Sequence, residues 1–188
     1  GWLDDKSTLY PVHEDLLKAG KIHAVEVLNY MEYYPVAFDW CNQYGIAPMA
    51  NTDIHDLISG DYGWGGGKMR PMTLVFATER SEKGIKEALF ARRTAALFDN
   101  KLVGESEYLM KLIQSSLKIR RINAGTIEVT NISDIPFEMT NGGKLYLFPC
   151  RKTVRIGIPK EGALVFENCF VGMNQKLSIP FEWWSSIL

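Results

Sequence analysis

Along the first 116 residues, apolar side chains spaced for strands alternate with apolar side chains spaced for helices, and beyond that point the helical spacing stops. This switch restricts the fold more than any other feature. Strands that alternate with helices across short connections make parallel sheets covered by helices, either doubly wound or as a piece of a barrel, whereas short strands in succession make sheets packed on sheets. The chain is therefore expected to be α/β over residues 1–117 and all-β over 118–188, the second part being a small β-sandwich.

The individual elements follow from spacing and punctuation. Pro11 to about Ala19 reads as a helix with Leu16 and Leu17 inward and Gly20 as its stop, and His23 to Leu28 as a strand. A helix from Pro35 to Tyr44 is bounded by Pro35 and Gly45, with Val36, Trp40 and Tyr44 on one face; Ile46 to Asn51 is the next strand. Gly60 to Gly67 reads as a glycine-rich loop, Met72 to Ala77 as a third strand, and Glu82 to about Arg92 and Ser106 to Ser116 as helices. Strand-like runs then fall at 117–122, 126–130, 144–148, 153–158, 163–169 and 176–182. About 70 residues is small for an independent sandwich, so the β part is expected to share apolar surface with the α/β part. The adjacent Trp183 and Trp184 would face opposite sides of a strand and serve that packing.

Composition narrows the partners. At 188 residues and 46% hydrophobic, the chain can bury one ordinary core or two small ones. Its formal charge of −1 provides no general field for nucleic acid or anionic lipid, and residues 120–188 hold 8 Lys/Arg against 6 Asp/Glu, too even a balance to name a partner. No stretch has the length and apolarity of a membrane span, and no targeting signal is visible, which leaves the localisation open. Cys41, Cys150 and Cys169 are far apart and form no Cys-x-x-Cys pair, which excludes a zinc ribbon. A Cys150–Cys169 disulfide is one reading, and buried free thiols are the commoner outcome for such cysteines.

Three histidines keep the list of chemical candidates short. Asp53 and His55 lie in Asn51-Thr52-Asp53-Ile54-His55-Asp56, where a strand is expected to end. Residues two apart in extended chain project to one face, so a carboxylate and an imidazole would converge there, at the strand end where α/β folds place ligands. A capping aspartate beside an incidental histidine is the ordinary reading of a bare Asp-x-His. His13, on an expected helix, suits an exposed or capping role, and His23 leads a strand. Glu26, inside a strand, suits either an orienting hydrogen bond behind a metal ligand or a structural ion pair. Gly65-Gly66-Gly67-Lys68 fails the nucleotide-binding pattern because Met69 follows the lysine. A flap beside the site fits it better, with Tyr62 and Trp64 able to touch a substrate and Lys68 or Arg70 able to approach a phosphoryl oxygen.

An ordered set of these segments carries a resemblance. Val25-Glu26-Val27-Leu28-Asn29, then a helix, then Thr52-Asp53-Ile54-His55, then Arg70-Pro71-Met72-Thr73-Leu74-Val75-Phe76-Ala77, then Ala88-Leu89 to Arg93-Thr94 keep the order and spacing found over residues 1 to about 103 in another group of proteins. The chain resembles the polymerase and histidinol phosphatase (PHP) family, and its predicted metal-dependent phosphoesterases in particular. The β-rich remainder resembles an accessory domain that some of those proteins carry.

The resemblance implies the C-terminal portion of a distorted β/α barrel. Its strand ends would hold two or three divalent ions (Zn, Mn or Fe), with Asp53 and His55 as metal-binding catalytic residues and Arg70, Lys68 and Trp64 on the substrate side. It implies hydrolysis of a small phosphorylated substrate, with metal-bound hydroxide attacking phosphorus. The family's early His-x-His, its intermediate histidines and the His-Pro before a Gly-Trp like Gly1-Trp2 have no counterpart here. The chain is thus expected to start inside the barrel and to lack a complete metal site, since one catalytic zinc takes three protein ligands. Apolar barrel seams left open in this way would be hidden by homo-oligomerisation or rearrangement. A reading from another class is a non-catalytic interaction or assembly module that binds protein or carbohydrate.

Overall fold

The structure is a computed structural model that describes residues 9–62, 69–159 and 161–182. The first region contains α1 (Pro11–Lys18), β1 (Ala24–Asn29), β2 (Glu32–Tyr33), α2 (Pro35–Tyr44), β3 (Ala47–Asn51) and α3 (Ile58–Tyr62). There follow β4 (Met72–Val75), α4 (Glu82–Phe90), β5 (Thr94–Phe98), β6 (Lys101–Gly104) and α5 (Ser106–Ser116). The strands β7 (Leu117–Arg121), β8 (Thr126–Asn131), β9 (Phe137–Asn141), β10 (Lys144–Phe148), β11 (Thr153–Gly157), β12 (Leu164–Gly172) and β13 (Gln175–Ile179) complete the described residues.

Local chemistry accounts for the helix ends. Pro35 occupies the first turn of α2, and Gly45 closes that helix at φ 67°, where a side chain would be strained and would also meet the Arg92 guanidinium. Ser81 caps α4 by accepting the Gly84 N–H at 3.0 Å. The stretch read as a glycine-rich loop begins helically, because α3 extends to Tyr62; Trp64, Lys68 and the three glycines lie outside the described residues, as do Trp183 and Trp184.

The fold is mixed α/β, and its sheets depart from the expected parallel pattern. β1 and β3 pair in parallel, with β2 antiparallel on the other side of β1. β4, β5 and β6 are antiparallel instead. For β5 and β6 the reason is the two-residue Asp99-Asn100 turn, with Asp99 at φ 53°, because a turn this tight can join only antiparallel neighbours.

β5 and β6 are buried on both faces and separate two cores. Ala95, Leu97 and Leu102 face a core built with α5 and the later strands, through Phe137, Met139, Phe148, Leu164 and Phe166. Ala96 and Val103 face the opposite core, with Val27, Leu28, Ala37, Phe38 and Cys41. Each large side chain buried in these cores contributes about 1.5–3 kcal/mol. All three cysteines are free, with Cys41 and Cys169 buried and Cys150 half-buried. Burial pushes the Cys41 and Cys169 thiols up to about 12.

One sheet crosses the residue at which the sequence pattern changes. It runs β10-β9-β12-β6-β5-β4, with β13 also on β12, while β11-β8-β7 form a separate sheet. β12 makes the crossing. Val165 and Phe166 pair antiparallel with β9, Cys169 and Phe170 pair in parallel with β6, and the register against β13 shifts between Phe166 and Phe170. Asn168, buried at that irregularity, donates to the carbonyls of Asn100 at 2.7 Å and Pro136 at 2.8 Å, and accepts the Glu138 N–H at 3.1 Å.

Candidate functional site

The parallel register sets Ala24 beside Ala47 and Asn29 beside Asn51, so β1 and β3 end together. The ladder shifts between Glu26 and Leu28, which breaks the alternation: Val27 and Leu28 are both buried, and Glu26 is left exposed. Its carboxylate accepts hydrogen bonds from the side-chain amides of Asn29 and Asn51, both at 2.5 Å. The partners of Glu26 are thus two amides at the strand ends, and neither is a cationic side chain.

β3 ends at Asn51, and the chain then turns. Asp53 adopts φ 48°, a left-handed conformation that aspartate tolerates better than most residues. Two tyrosines brace the turn. The Tyr62 hydroxyl donates to the Thr52 carbonyl at 3.0 Å, the Tyr30 N–H donates to the Asn51 carbonyl at 3.1 Å, and their rings meet edge to face at 6.2 Å. Past the turn, His55 Nε2 lies 3.7 Å from Asp53 Oδ1, with the histidine side chain 89% exposed and the aspartate 58%. The two groups approach each other through a left-handed turn beyond the strand, and not through the extended chain that the spacing suggested.

The electrostatic surroundings are acidic. The Tyr34 hydroxyl is pushed up to about 12, first by its hydrogen bond to Glu32, then by burial and by the negative charges of Glu32, Glu26 and Asp53. Tyr62 is also raised, first by burial and then by charges that include Asp61 and Asp53. Beside this rim opens a cleft of about 600 Å³ between the Met49–Ile54 stretch and the Arg70–Leu74 stretch. The Thr73 hydroxyl spans its base, donating to the Ala50 carbonyl at 3.0 Å and accepting the Ala50 N–H at 2.9 Å. Asp53 and exposed Arg70 both line the cleft.

The other histidines lie elsewhere. His13 stands on α1 with its ring edge against Tyr10 at 5.6 Å. His23 precedes β1, at the opposite strand end from Asp53, and packs on Phe90 at 4.9 Å beside an apolar hollow of about 210 Å³. Among the described residues no three His, Cys, Asp or Glu side chains are grouped as a metal site. Asp53 and His55 are donors of the right type for a divalent ion, but two do not close a site that needs three or more.

One solved structure has this arrangement of elements. It is a two-domain protein containing a predicted PHP-like metal-dependent phosphoesterase from Bacteroides vulgatus, superimposing with a TM-score of 0.85 at 30% identity over 94% of this chain. The chain is similar in fold to that protein over most of its own length. It spans 57% of the length of that protein. No family model matches the chain, and no curated protein does.

The likeness is one of fold. It does not extend to the residues, so the case for each side chain rests on the geometry above. Sequence reasoning undervalued Glu26 and passed over Asn29, Asn51 and Tyr34. A legible signal existed for the asparagines, which end two β-branched or apolar runs that parallel pairing would set side by side.

Proposed function

We propose that this chain carries part of the divalent-metal centre of a phosphoester hydrolase, with Asp53 and His55 as two of its ligands. The observation that supports this is the 3.7 Å approach of Asp53 Oδ1 and His55 Nε2 at paired strand ends, beside Glu26 with its two amide partners and a cleft containing Arg70. A divalent ion (Zn, Mn or Fe, two or three in the whole centre) supplies Lewis acidity and charge neutralisation when bound. The remaining ligands come from outside the described residues of this chain, in keeping with its covering 57% of the similar protein. In this reading Glu26 fixes the strand ends through Asn29 and Asn51, and Arg70 offers a cation to a phosphoryl oxygen of a small substrate. Lys68 and Trp64 would add to the substrate side. The two units meet near residue 117, the first the C-terminal portion of a distorted barrel and the second a small β-sandwich, with the β6–β12 pairing joining them.

The test is hydrolysis of p-nitrophenyl phosphate and bis-p-nitrophenyl phosphate by the full-length protein with added Mn²⁺ or Zn²⁺. Activity that is abolished by chelation and falls at least about 100-fold in Asp53→Ala and in His55→Ala is the expected outcome. The incomplete donor set among the described residues gives the interaction-module reading its one argument. An inert, metal-free full-length protein would favour that module.

A further inference from the structure

The two edges of β3 are satisfied in different ways. Its parallel partner β1 takes one edge: the Ala47 N–H donates to the His23 carbonyl at 3.0 Å, and the Asn51 carbonyl accepts the Tyr30 N–H at the far end. Main-chain groups of alternate residues in a strand point to opposite edges, so those of Pro48, Ala50 and Thr52 face away from β1. Among the described residues no strand pairs with that outer edge.

Side-chain hydroxyls occupy it instead. Thr94 of β5, fully buried, donates to the Pro48 carbonyl at 2.9 Å. Thr73 of β4 donates to the Ala50 carbonyl at 3.0 Å and accepts the Ala50 N–H at 2.9 Å, and Tyr62 of α3 donates to the Thr52 carbonyl at 3.0 Å. Each outward carbonyl from Pro48 to Thr52 thus receives a hydroxyl from a different element, and Pro48 has no N–H to satisfy. Thr73 is the cross-strand partner of Ala96, and Thr94 lies two residues before Ala96 on β5, so both threonines stand on the sheet face that carries Ala96. β3 therefore lies with its edge against that face, and the hydroxyls replace the ladder that a neighbouring strand would supply.

Thr73 differs from the other two. It takes both main-chain groups of one residue, and that residue, Ala50, directly precedes Asn51, the amide partner of Glu26. It also belongs to the Arg70–Leu74 wall of the cleft, so its side chain joins the wall that carries Arg70 to the strand end that carries Asp53. The bond from Thr94 lies further back, at Pro48, and anchors β3 without setting its end.

We infer that Thr73 is a positioning residue, whose hydroxyl clips Ala50 and thereby fixes the end of β3, and with it the Asp53–His55 pair, for a divalent cation. The inference rests on the metal reading proposed above. Mn²⁺ binding to the full-length protein, measured by isothermal titration calorimetry, tests it. Thr73→Val, which keeps the shape and removes the hydroxyl, is expected to raise the Kd about 10-fold or more, and Thr73→Ser, which retains the hydroxyl, to stay within about 3-fold of the wild type. Thr94→Val is expected to lower the melting temperature at least as much as Thr73→Val while leaving the Kd within about 3-fold. Coupling is reciprocal, so in the unmodified protein the Ala50 amide is expected to exchange about 5-fold or more slowly once Zn²⁺ is added. Wild-type affinity in Thr73→Val, a serine variant as weak as the valine one, an equal loss in Thr94→Val, or Ala50 exchange unchanged by bound zinc overturns the inference. A wild type that binds no cation overturns the metal reading itself, and the inference with it.

Discussion

At the scale of single residues, Asp53 carries a backbone burden that is separable from the metal-ligand role proposed for it. Its φ of 48° lies where a residue with a Cβ is strained by up to about 1–2 kcal/mol, less for aspartate, and where glycine is free. Asp53→Gly is therefore expected to match or exceed wild-type stability in urea denaturation while losing phosphoesterase activity, whereas Asp53→Ala loses activity and about 1 kcal/mol of stability. A parallel loss of both in the glycine variant would make Asp53 a structural residue. The pairing of Asp53 with His55 is legible in Thr52-Asp53-Ile54-His55, yet its geometry is not. β-Propensity extends the strand as far as apolar residues reach, while the left-handed turn depends on Tyr62 and Tyr30, whose hydroxyl and N–H reach the Thr52 and Asn51 carbonyls from positions remote in sequence. Glu26 was hard to weigh for a similar reason, because its two amide partners come together only when β1 and β3 pair.

Among the elements, β12 has the largest structural consequence. Its register shift lets one strand serve an antiparallel pair with β9 and a parallel pair with β6, and Asn168 at that irregularity ties the Asp99-Asn100 turn to the start of β9. Truncation to alanine removes all these bonds and leaves the Asn100 and Pro136 carbonyls without that donor, at a cost of about 1–3 kcal/mol for each buried group left unsatisfied. Asn168→Ala is expected to lower stability by about 2 kcal/mol or more, read as a drop in the urea midpoint; a change under about 0.5 kcal/mol would contradict the role assigned to it. This junction was not legible in sequence. Periodicity marks 163–169 as a strand but carries no information about its partners, and a long-range parallel pairing leaves no local trace. β5 and β6 escaped notice because their alternation is hidden: both faces are buried, so Thr94-Ala95-Ala96-Leu97 reads as a continuous apolar run. Of the helices, α1 and α2 are legible because Pro11, Pro35 and Gly45 mark their ends chemically, and α4 and α5 from their apolar spacing, whereas α3 falls partly in the stretch that reads as a glycine-rich loop.

For the whole molecule, charge matters at the surface of the later strands. Glu128 is held below the ordinary 4.5 by hydrogen bonds from Arg120 and then Arg155, and Glu167 by Lys176 and then Thr140. A carboxylate depressed in the folded state contributes stability that is full above its unfolded value and is lost as pH falls through the folded value. The urea midpoint is therefore expected to be level from neutrality down to about pH 5 and to decline below about 4.5, with a shallower decline in the double variant Arg120→Gln/Arg155→Gln. A decline that begins near pH 6.5 would point to histidine titration instead.

The proposed function requires a cation held between positions 53 and 55. The most direct measurement is an anomalous difference map from crystals of the full-length protein grown with Mn²⁺. The predicted result is a peak within about 2.0–2.3 Å of an Asp53 carboxylate oxygen and an imidazole nitrogen of His55. Peaks bound only elsewhere, with Asp53 and His55 left in contact with solvent, would contradict it.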